Sequence, residues 1–308
     1  MEAIVYEEFG GPEVLRHATG VTVPEPGPGE VRVRVAAVGL NPLDWKRRHG
    51  WVEEFYPTTF PAVPGLEFAG TVDKLGEGVT DLAVGDEVLG WTKTGAYAQY
   101  AIADLVVPKP AGLSWASAAS LPVAAETAQR VLDLIGVRPG ETLFLHGAAG
   151  VVGSVGVQLA VAAGVTVIGS ASESNHAYLR ELGAIPVTYG DGLADRVRAA
   201  APDGVDAVFD AVGHGVLPVA IELLGGKDAA KERIATIADL DAEEHGIVFT
   251  GVMGDPDAVR AGLTAHARAA AAGTLAVRLA DTLPLKEAAR AQELSQSGHV
   301  RGKLVLIP

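Results

Sequence analysis

Over residues 30–36 the chain alternates charged and apolar side chains, Glu-Val-Arg-Val-Arg-Val-Ala, the period of a strand buried on one face. Shorter apolar runs of strand length lie at residues 3–6, 68–75, 86–91 and 96–103. Glycine turns separate them (Gly76-Glu77-Gly78, Gly85-Asp86, Lys93-Thr94-Gly95), and Pro24-Glu25-Pro26-Gly27-Pro28-Gly29 is a turn-rich connector. Many short strands divided by glycine turns predict a β-rich domain of barrel or sandwich type.

The pattern changes near residue 120. A helix over residues 114–136 is interrupted near Pro122. Apolar runs then recur at residues 142–146, 165–170, 185–188, 206–210, 233–237 and 247–252, with helical stretches such as 151–163 and 175–182 between them. Strands alternating with crossover helices predict a doubly wound parallel sheet of six strands. Residues 257–272 read as an alanine-rich helix, 275–279 as a strand, 284–297 as a helix and 302–308 as a strand. These alternate too loosely to extend the sheet. The expected division is a discontinuous first domain, 1–120 with 256–308, and a second domain, 121–255.

Open parallel sheets bind ligands outside the carboxyl ends of their strands. The expected contacts are therefore residues 148–153, 170–175, Tyr189 and 211–213. Leu143-Phe144-Leu145-His146-Gly147-Ala148-Ala149-Gly150-Val151-Val152-Gly153 reads as a strand, a glycine turn and the start of a helix. Glycine lets backbone N–H groups approach a phosphate, and the helix adds the positive end of its dipole. The following strand, at βαβ spacing, selects a dinucleotide site over a bare packing turn. An acidic residue that would hold the ribose of NAD is missing from Ile168-Gly169-Ser170-Ala171-Ser172-Glu173-Ser174-Asn175. Ser170 is small and neutral, which favours NADP, although Glu173 is acidic and the nearest base, Arg180, lies two turns on. Ser172 or Ser174 also reads as a helix cap. Gly213-His214-Gly215 is expected to border the nicotinamide end of the same cofactor, with His214 a solvated loop residue.

In the first domain, Gly39-Leu40-Asn41-Pro42-Leu43-Asp44-Trp45 turns from a strand into a helix. Asn41 and Asp44 read as its caps, with Pro42 in the first turn. Asn41 has a second reading, an amide directed at a nicotinamide or a substrate carbonyl. In Pro64-Gly65-Leu66-Glu67-Phe68-Ala69-Gly70, Glu67 reads as a carboxylate holding a backbone turn, ahead of a general acid.

Composition narrows the choices. The chain has 308 residues, 48% of them hydrophobic, a net charge of −14 and no cysteine. No stretch of lysine and arginine forms a basic face, so nucleic acid is not an expected partner. Disulfides, thiolate nucleophiles and cysteine-held zinc are excluded. No apolar run reaches the roughly 18 residues of a membrane span and no basic-then-apolar leader opens the chain, so a cytoplasmic protein is expected.

These motifs, with Val84-Gly85-Asp86-Glu87-Val88, Pro122-Val123-Ala124-Ala125-Glu126-Thr127-Ala128 and Gly302-Lys303-Leu304-Val305-Leu306, come in an order that resembles a known family over essentially the whole chain. It is the zinc-independent, zeta-crystallin-like quinone oxidoreductase branch of the medium-chain dehydrogenase/reductase superfamily. Zinc alcohol dehydrogenases of that superfamily carry cysteine where Asn41 stands and histidine where Leu66 stands. The resemblance implies an α/β protein, a GroES-like β-rich catalytic domain beside a Rossmann domain, and a homodimer joined edge to edge through the nucleotide-binding sheets. It implies NADPH without zinc, and hydride transfer to a quinone or an α,β-unsaturated carbonyl. It puts Asn41 near the nicotinamide as a positioning residue, with Thr127 near the cofactor. Ala149, Gly150, Val151, Val152 and Gly153 fall at the pyrophosphate. Ser172 and Tyr189, with Ser170 and Asn175, fall at the adenosine phosphate end, and Gly213 and Lys303 complete the cofactor set. Two departures stand out: Ala148 opens the glycine fingerprint, and Ser174 and Asn175 occupy a loop that often carries a base. Trp45, Trp51, Tyr56 and Trp91 are candidate aromatic donors or packing aromatics, and residues 51–61 and 254–257 are expected to line the acceptor pocket. A pathway-specific enoyl reductase and a non-catalytic NADP(H)-binding redox sensor are the competing readings.

Overall fold

The computed structural model describes residues 1–251 and 253–308; Val252, the last residue of the strand expected over 247–252, lies outside them. In chain order the strands are β1 (Ala3–Val5), β2 (Arg16–Ala18), β3 (Val31–Gly39), β4 (Glu67–Leu75), β5 (Glu87–Trp91), β6 (Tyr100–Ala103), β7 (Leu105–Pro108) and β8 (Thr142–His146). They continue with β9 (Thr166–Ala171), β10 (Ile185–Thr188), β11 (Ala207–Asp210), β12 (Ile234–Thr236), β13 (Val248–Phe249), β14 (Leu279–Pro284) and β15 (Lys303–Ile307). The chain forms two compact units, Met1–Val123 with Pro256–Pro308, and Ala124–Asp255. Among the described residues no helix is long and apolar enough to cross a membrane.

In the first unit the sheet order is β14-β15-β3-β4-β5-β7, with β6 also paired to β3. The alternation that predicted β3 has a direct cause. Val31, Val33 and Val35 point into the core, whereas Arg32 points outward and pairs with Asp73 and Glu25. The core of this unit gathers Val33, Phe68, Val88, Tyr97, Leu283 and Leu306. The run at 96–103 is not one strand: only Tyr100–Ala103 pairs with β3, and β7 follows as a separate strand against β5. The strand expected at 275–279 lies over Leu279–Pro284 instead. It pairs only with β15, so an edge position lets Asp281 and Thr282 face solvent, while Leu283 is its buried residue. Sequence polarity hid this strand because an edge strand needs little apolar surface.

In the second unit the order is β10-β9-β8-β11-β12-β13. Every pairing is parallel, the doubly wound arrangement expected. The expected helix over 114–136 is two helices, Trp115–Ala119, which belongs to the first unit, and Pro122–Ile135, most of which belongs to the second, divided at Ser120 and Leu121. Pro122 stands at the first position of the second, where its missing N–H costs nothing. Phe144, Ile168, Val208 and Ile234 carry the centre of the sheet into the core. The helix Val151–Ala162 packs across β8 and β9. Gly153 makes that packing possible, since a methyl group there would collide with the carbonyl oxygen of Gly147.

Candidate active site

The first unit holds a buried polar cluster where the ends of β3, β4 and β15 meet. Glu67, the first residue of β4, and Lys303, the first of β15, are both withdrawn from solvent and form an ion pair. Lys303 Nζ also donates to Asn41 Oδ1 at 2.6 Å, and Asn41 Nδ2 donates to Glu67 Oε1 at 2.8 Å. The other carboxylate oxygen of Glu67 accepts from the backbone N–H of Val123 at 2.7 Å. Gly39 lies opposite Glu67 in the β3–β4 register, and any side chain there would run into this carboxylate and the carbonyl of Ala119.

Asp44 adjoins the cluster. Its Oδ2 accepts from the backbone N–H of Asn41 at 2.9 Å and from the hydroxyl of Tyr97 at 3.1 Å. The helix Pro42–Arg48 is therefore closed by Asp44, while the amide of Asn41 is engaged by Glu67 and Lys303. Burial pushes the Asp44 carboxyl up to about 6, against the bond from Asn41, the Lys303 charge and the bond from Tyr97. Burial and the Asp44 charge together hold the Tyr97 phenol well above its ordinary value.

In the second unit the candidate ligand site is the carboxyl edge of the sheet. Gly150 caps the helix Val151–Ala162 without a side chain, which leaves first-turn N–H groups open to an anion. Ala149, Val151 and Val152 are partly exposed there. A diphosphate fits this turn. At the end of β9, Ser172 Oγ accepts from Asn175 Nδ2 at 3.0 Å and lies 3.2 Å from Ser174 Oγ, a small polar loop at the surface. Tyr189, 54% exposed, follows β10. Gly213 N donates to Asp210 Oδ1 at 2.9 Å, which fixes the turn after β11. Thr127 lies on the helix Pro122–Ile135, its hydroxyl 3.4 Å from Glu126 Oε2.

With this geometry in view, residues 27–111 match the alcohol dehydrogenase GroES-like domain and residues 182–306 the zinc-binding dehydrogenase domain. A 2-haloacrylate reductase from Burkholderia sp is 33% identical, covering 100% of this chain and 99% of that one. The chain belongs to the medium-chain dehydrogenase/reductase superfamily, in its quinone oxidoreductase branch. The solved quinone oxidoreductase of Coxiella burnetii superposes with a TM-score of 0.86 at 32% identity, covering 100% of this chain and 99% of that one. The NADPH-dependent alkenal/one oxidoreductase of Arabidopsis thaliana is 36% identical over 75% of this chain and 62% of its own. The chain spans about three fifths of the length of such plant relatives.

The residues singled out in the sequence fall in two places. Asn41 and Lys303 are brought into direct contact. Ala149 to Gly153, Ser172, Asn175, Tyr189 and Gly213 all lie at the carboxyl edge of one sheet. Ser170 differs from expectation. The strand runs on to Ala171, and Ser170 is wholly buried with its hydroxyl engaged at the glycine turn, so the side chain offers nothing to a ribose. Lys303 likewise has its ammonium taken up by Asn41 and Glu67. Of the aromatic candidates, Trp91 is buried, Trp45 donates to Ser295 Oγ at 3.2 Å, and Tyr56 lies under Arg47. Trp51 is 60% exposed and stacks on His49 with ring centres 4.6 Å apart. Sequence reading passed over Arg196, whose guanidinium holds the carbonyls of Thr188, Tyr189 and Gly190 at the end of β10. It lies seven residues past Tyr189 on a helix, and no motif marks it.

The Asp44 geometry makes a prediction. Its Oδ1 has no hydrogen-bond partner among the described residues. In Asp44→Asn the amide oxygen can keep both bonds while the buried charge disappears. A carboxyl raised above its unfolded value binds its proton more tightly when folded. Its contribution favours the fold at low pH and is lost as pH rises from about 4 to about 6, an effect on the order of 3 kcal/mol. Urea unfolding across that range should show the stability difference moving in favour of Asp44→Asn as pH rises. A difference that stays constant with pH would contradict the assignment.

Proposed function

We propose that the chain is an NADPH-dependent oxidoreductase that transfers hydride to a quinone or an α,β-unsaturated carbonyl. Residues 1–120 with 256–308 form its catalytic domain and residues 121–255 bind NADP. The observation that carries this reading is the uncapped glycine turn heading a long helix on a six-stranded parallel sheet. Relatives named for haloacrylate, alkenal/one and quinone acceptors support the substrate class, because each of those acceptors has a C=C bond conjugated to a carbonyl.

When bound, reduced nicotinamide supplies the hydride, and the protein binds, orients and desolvates. The first-turn N–H groups of Val151, Val152 and Gly153 take the diphosphate, with Ala149 and Gly150 forming the turn. Ser172, Asn175 and Tyr189 serve the adenosine phosphate end, and Gly213 and Thr127 the nicotinamide side. Asn41 is the positioning residue of the catalytic domain, its amide fixed by Lys303 and Glu67. This reading has no zinc, since Asn41 and Leu66 offer neither thiolate nor imidazole and Glu67 is already matched by Lys303. The reading includes a homodimer joined through the end strands of the sheet order, β10 and β13. A cytoplasmic location belongs to the same proposal and suits a chain without cysteine.

Steady-state oxidation of NADPH and of NADH, each with a polycyclic ortho-quinone and a simple enone, tests the activity. NADPH should be consumed faster than NADH with at least one acceptor. Faster NADH consumption would overturn the cofactor choice, and tight binding without turnover would favour a redox sensor. Light scattering at micromolar concentration should give twice the chain mass of 31.6 kDa, and a single-chain mass would overturn the dimer.

A further inference from the structure

A row of polar side chains crosses the nucleotide-binding sheet at its carboxyl edge. The parallel registers pair Ser170 with His146, His146 with Asp210, and Asp210 with Thr236. In-register neighbours of a parallel ladder point to the same face, so these residues stand side by side. The row immediately before it, Gly169, Leu145, Phe209 and Ala235, is apolar, as a sheet covered on both faces requires. The polar row is also buried, with exposures of 0%, 8%, 0% and 0% in the same order from Ser170 to Thr236. Polar groups withdrawn from water to this extent need partners.

The partners are turns. Ser170 Oγ accepts from the backbone N–H of Gly147 at 3.2 Å. Asp210 Oδ1 accepts from Val212 N at 3.1 Å and Gly213 N at 2.9 Å. Thr236 Oγ1 accepts from Ala238 N at 3.1 Å and Asp239 N at 3.0 Å. Lateral bonds link neighbours: His146 Nδ1 lies 2.7 Å from Ser170 Oγ, and Thr236 Oγ1 donates to Asp210 Oδ2 at 2.7 Å. Burial holds the His146 imidazole below its ordinary value, against the pull of the Asp210 charge. A serine, a histidine and an aspartate in this order invite comparison with a hydrolytic triad. Here the serine oxygen faces a backbone N–H and is closed to solvent, so it has no access to a substrate.

We propose that this row is a positioning device for the dinucleotide, locking the turns after β8, β11 and β12 to the sheet from beneath. Ser170 then acts on the cofactor through Gly147 and the glycine turn, without touching the ribose. Asp210 and Thr236 do the same for the turns beside Gly213. Because the row grips backbone rather than ligand, it is indifferent to the 2′-phosphate. The inference rests on the reading of residues 121–255 as an NADP-binding domain.

Equilibrium titration of the full chain with NADPH and with NADH tests it, on wild type, Ser170→Ala, Ser170→Thr and Thr236→Val. Ser170→Ala removes both the bond from Gly147 N–H and the contact with His146 Nδ1, and loss of the first, which holds the glycine turn, should weaken both dinucleotides by a similar factor, about 10-fold. The NADPH-to-NADH affinity ratio should hold, and Ser170→Thr, which keeps the hydroxyl, should recover most of the loss. Thr236→Val reports from the far end of the row by the same readout, and should weaken both dinucleotides even if Ser170→Ala does not fold. A loss confined to NADPH would overturn the proposal in favour of direct ribose contact. Unchanged affinity for both in Ser170→Ala and Thr236→Val would overturn it in favour of a purely structural row. If wild type binds neither dinucleotide, the cofactor reading fails and the proposal falls with it.

Discussion

A carboxylate taken wholly out of water has to be matched, and Glu67 is such a carboxylate. Leaving an ion of that size buried without partners costs several kcal/mol. Three donors meet it: the ammonium of Lys303, the amide of Asn41 and the backbone N–H of Val123. They come from residues far apart in the chain, so satisfying one buried charge brings together the ends of β3, β4 and β15. Gly39 clears the space, and Asn41 is left with its amide held at both ends. The orientation of the one side chain proposed to serve catalysis in this unit is thus a consequence of a charge that must be neutralised.

The second unit uses side-chain bonds to backbone N–H groups for the same purpose. The row Gly169, Leu145, Phe209 and Ala235 is apolar, and in the row after it buried oxygens take up N–H groups of the loops that follow. The two arrangements suit the proposed activity, in which the hydride chemistry belongs to a bound cofactor. Precise placement is what such a protein contributes, and a pre-arranged site avoids reorganisation when the ligand arrives. Ser172 and Asn175, partly exposed, and Tyr189, exposed, stand at the same edge of the sheet and are the side chains proposed to meet the ligand.

Much of this could be read before the structure. The alternation in β3 reports one buried face, and the strand–glycine–helix run reports a tight turn heading a helix, because both signals are local. The capping carboxylate at Asp44 is local too. What escaped is non-local. Lys303 lies 236 residues from Glu67, and nothing in its own surroundings shows that its ammonium is buried. The polar row is spread one residue per strand, so each member looks like the frayed end of an apolar run. Ser170 therefore read as a neutral strand end facing the ribose, whereas its oxygen is turned to Gly147. The edge strand β14 escaped for the opposite reason, since it buries too little to leave a pattern.

Glu67 and Lys303 form one unit, each tolerable in the core only with the other. A double-mutant cycle of Glu67→Gln, Lys303→Met and both together, followed by urea unfolding, measures this directly. Each single change should cost about 3–5 kcal/mol by stranding a buried partner, and the double change should cost clearly less than their sum. Single effects that simply add would show that the two charges are held independently, and would contradict the account.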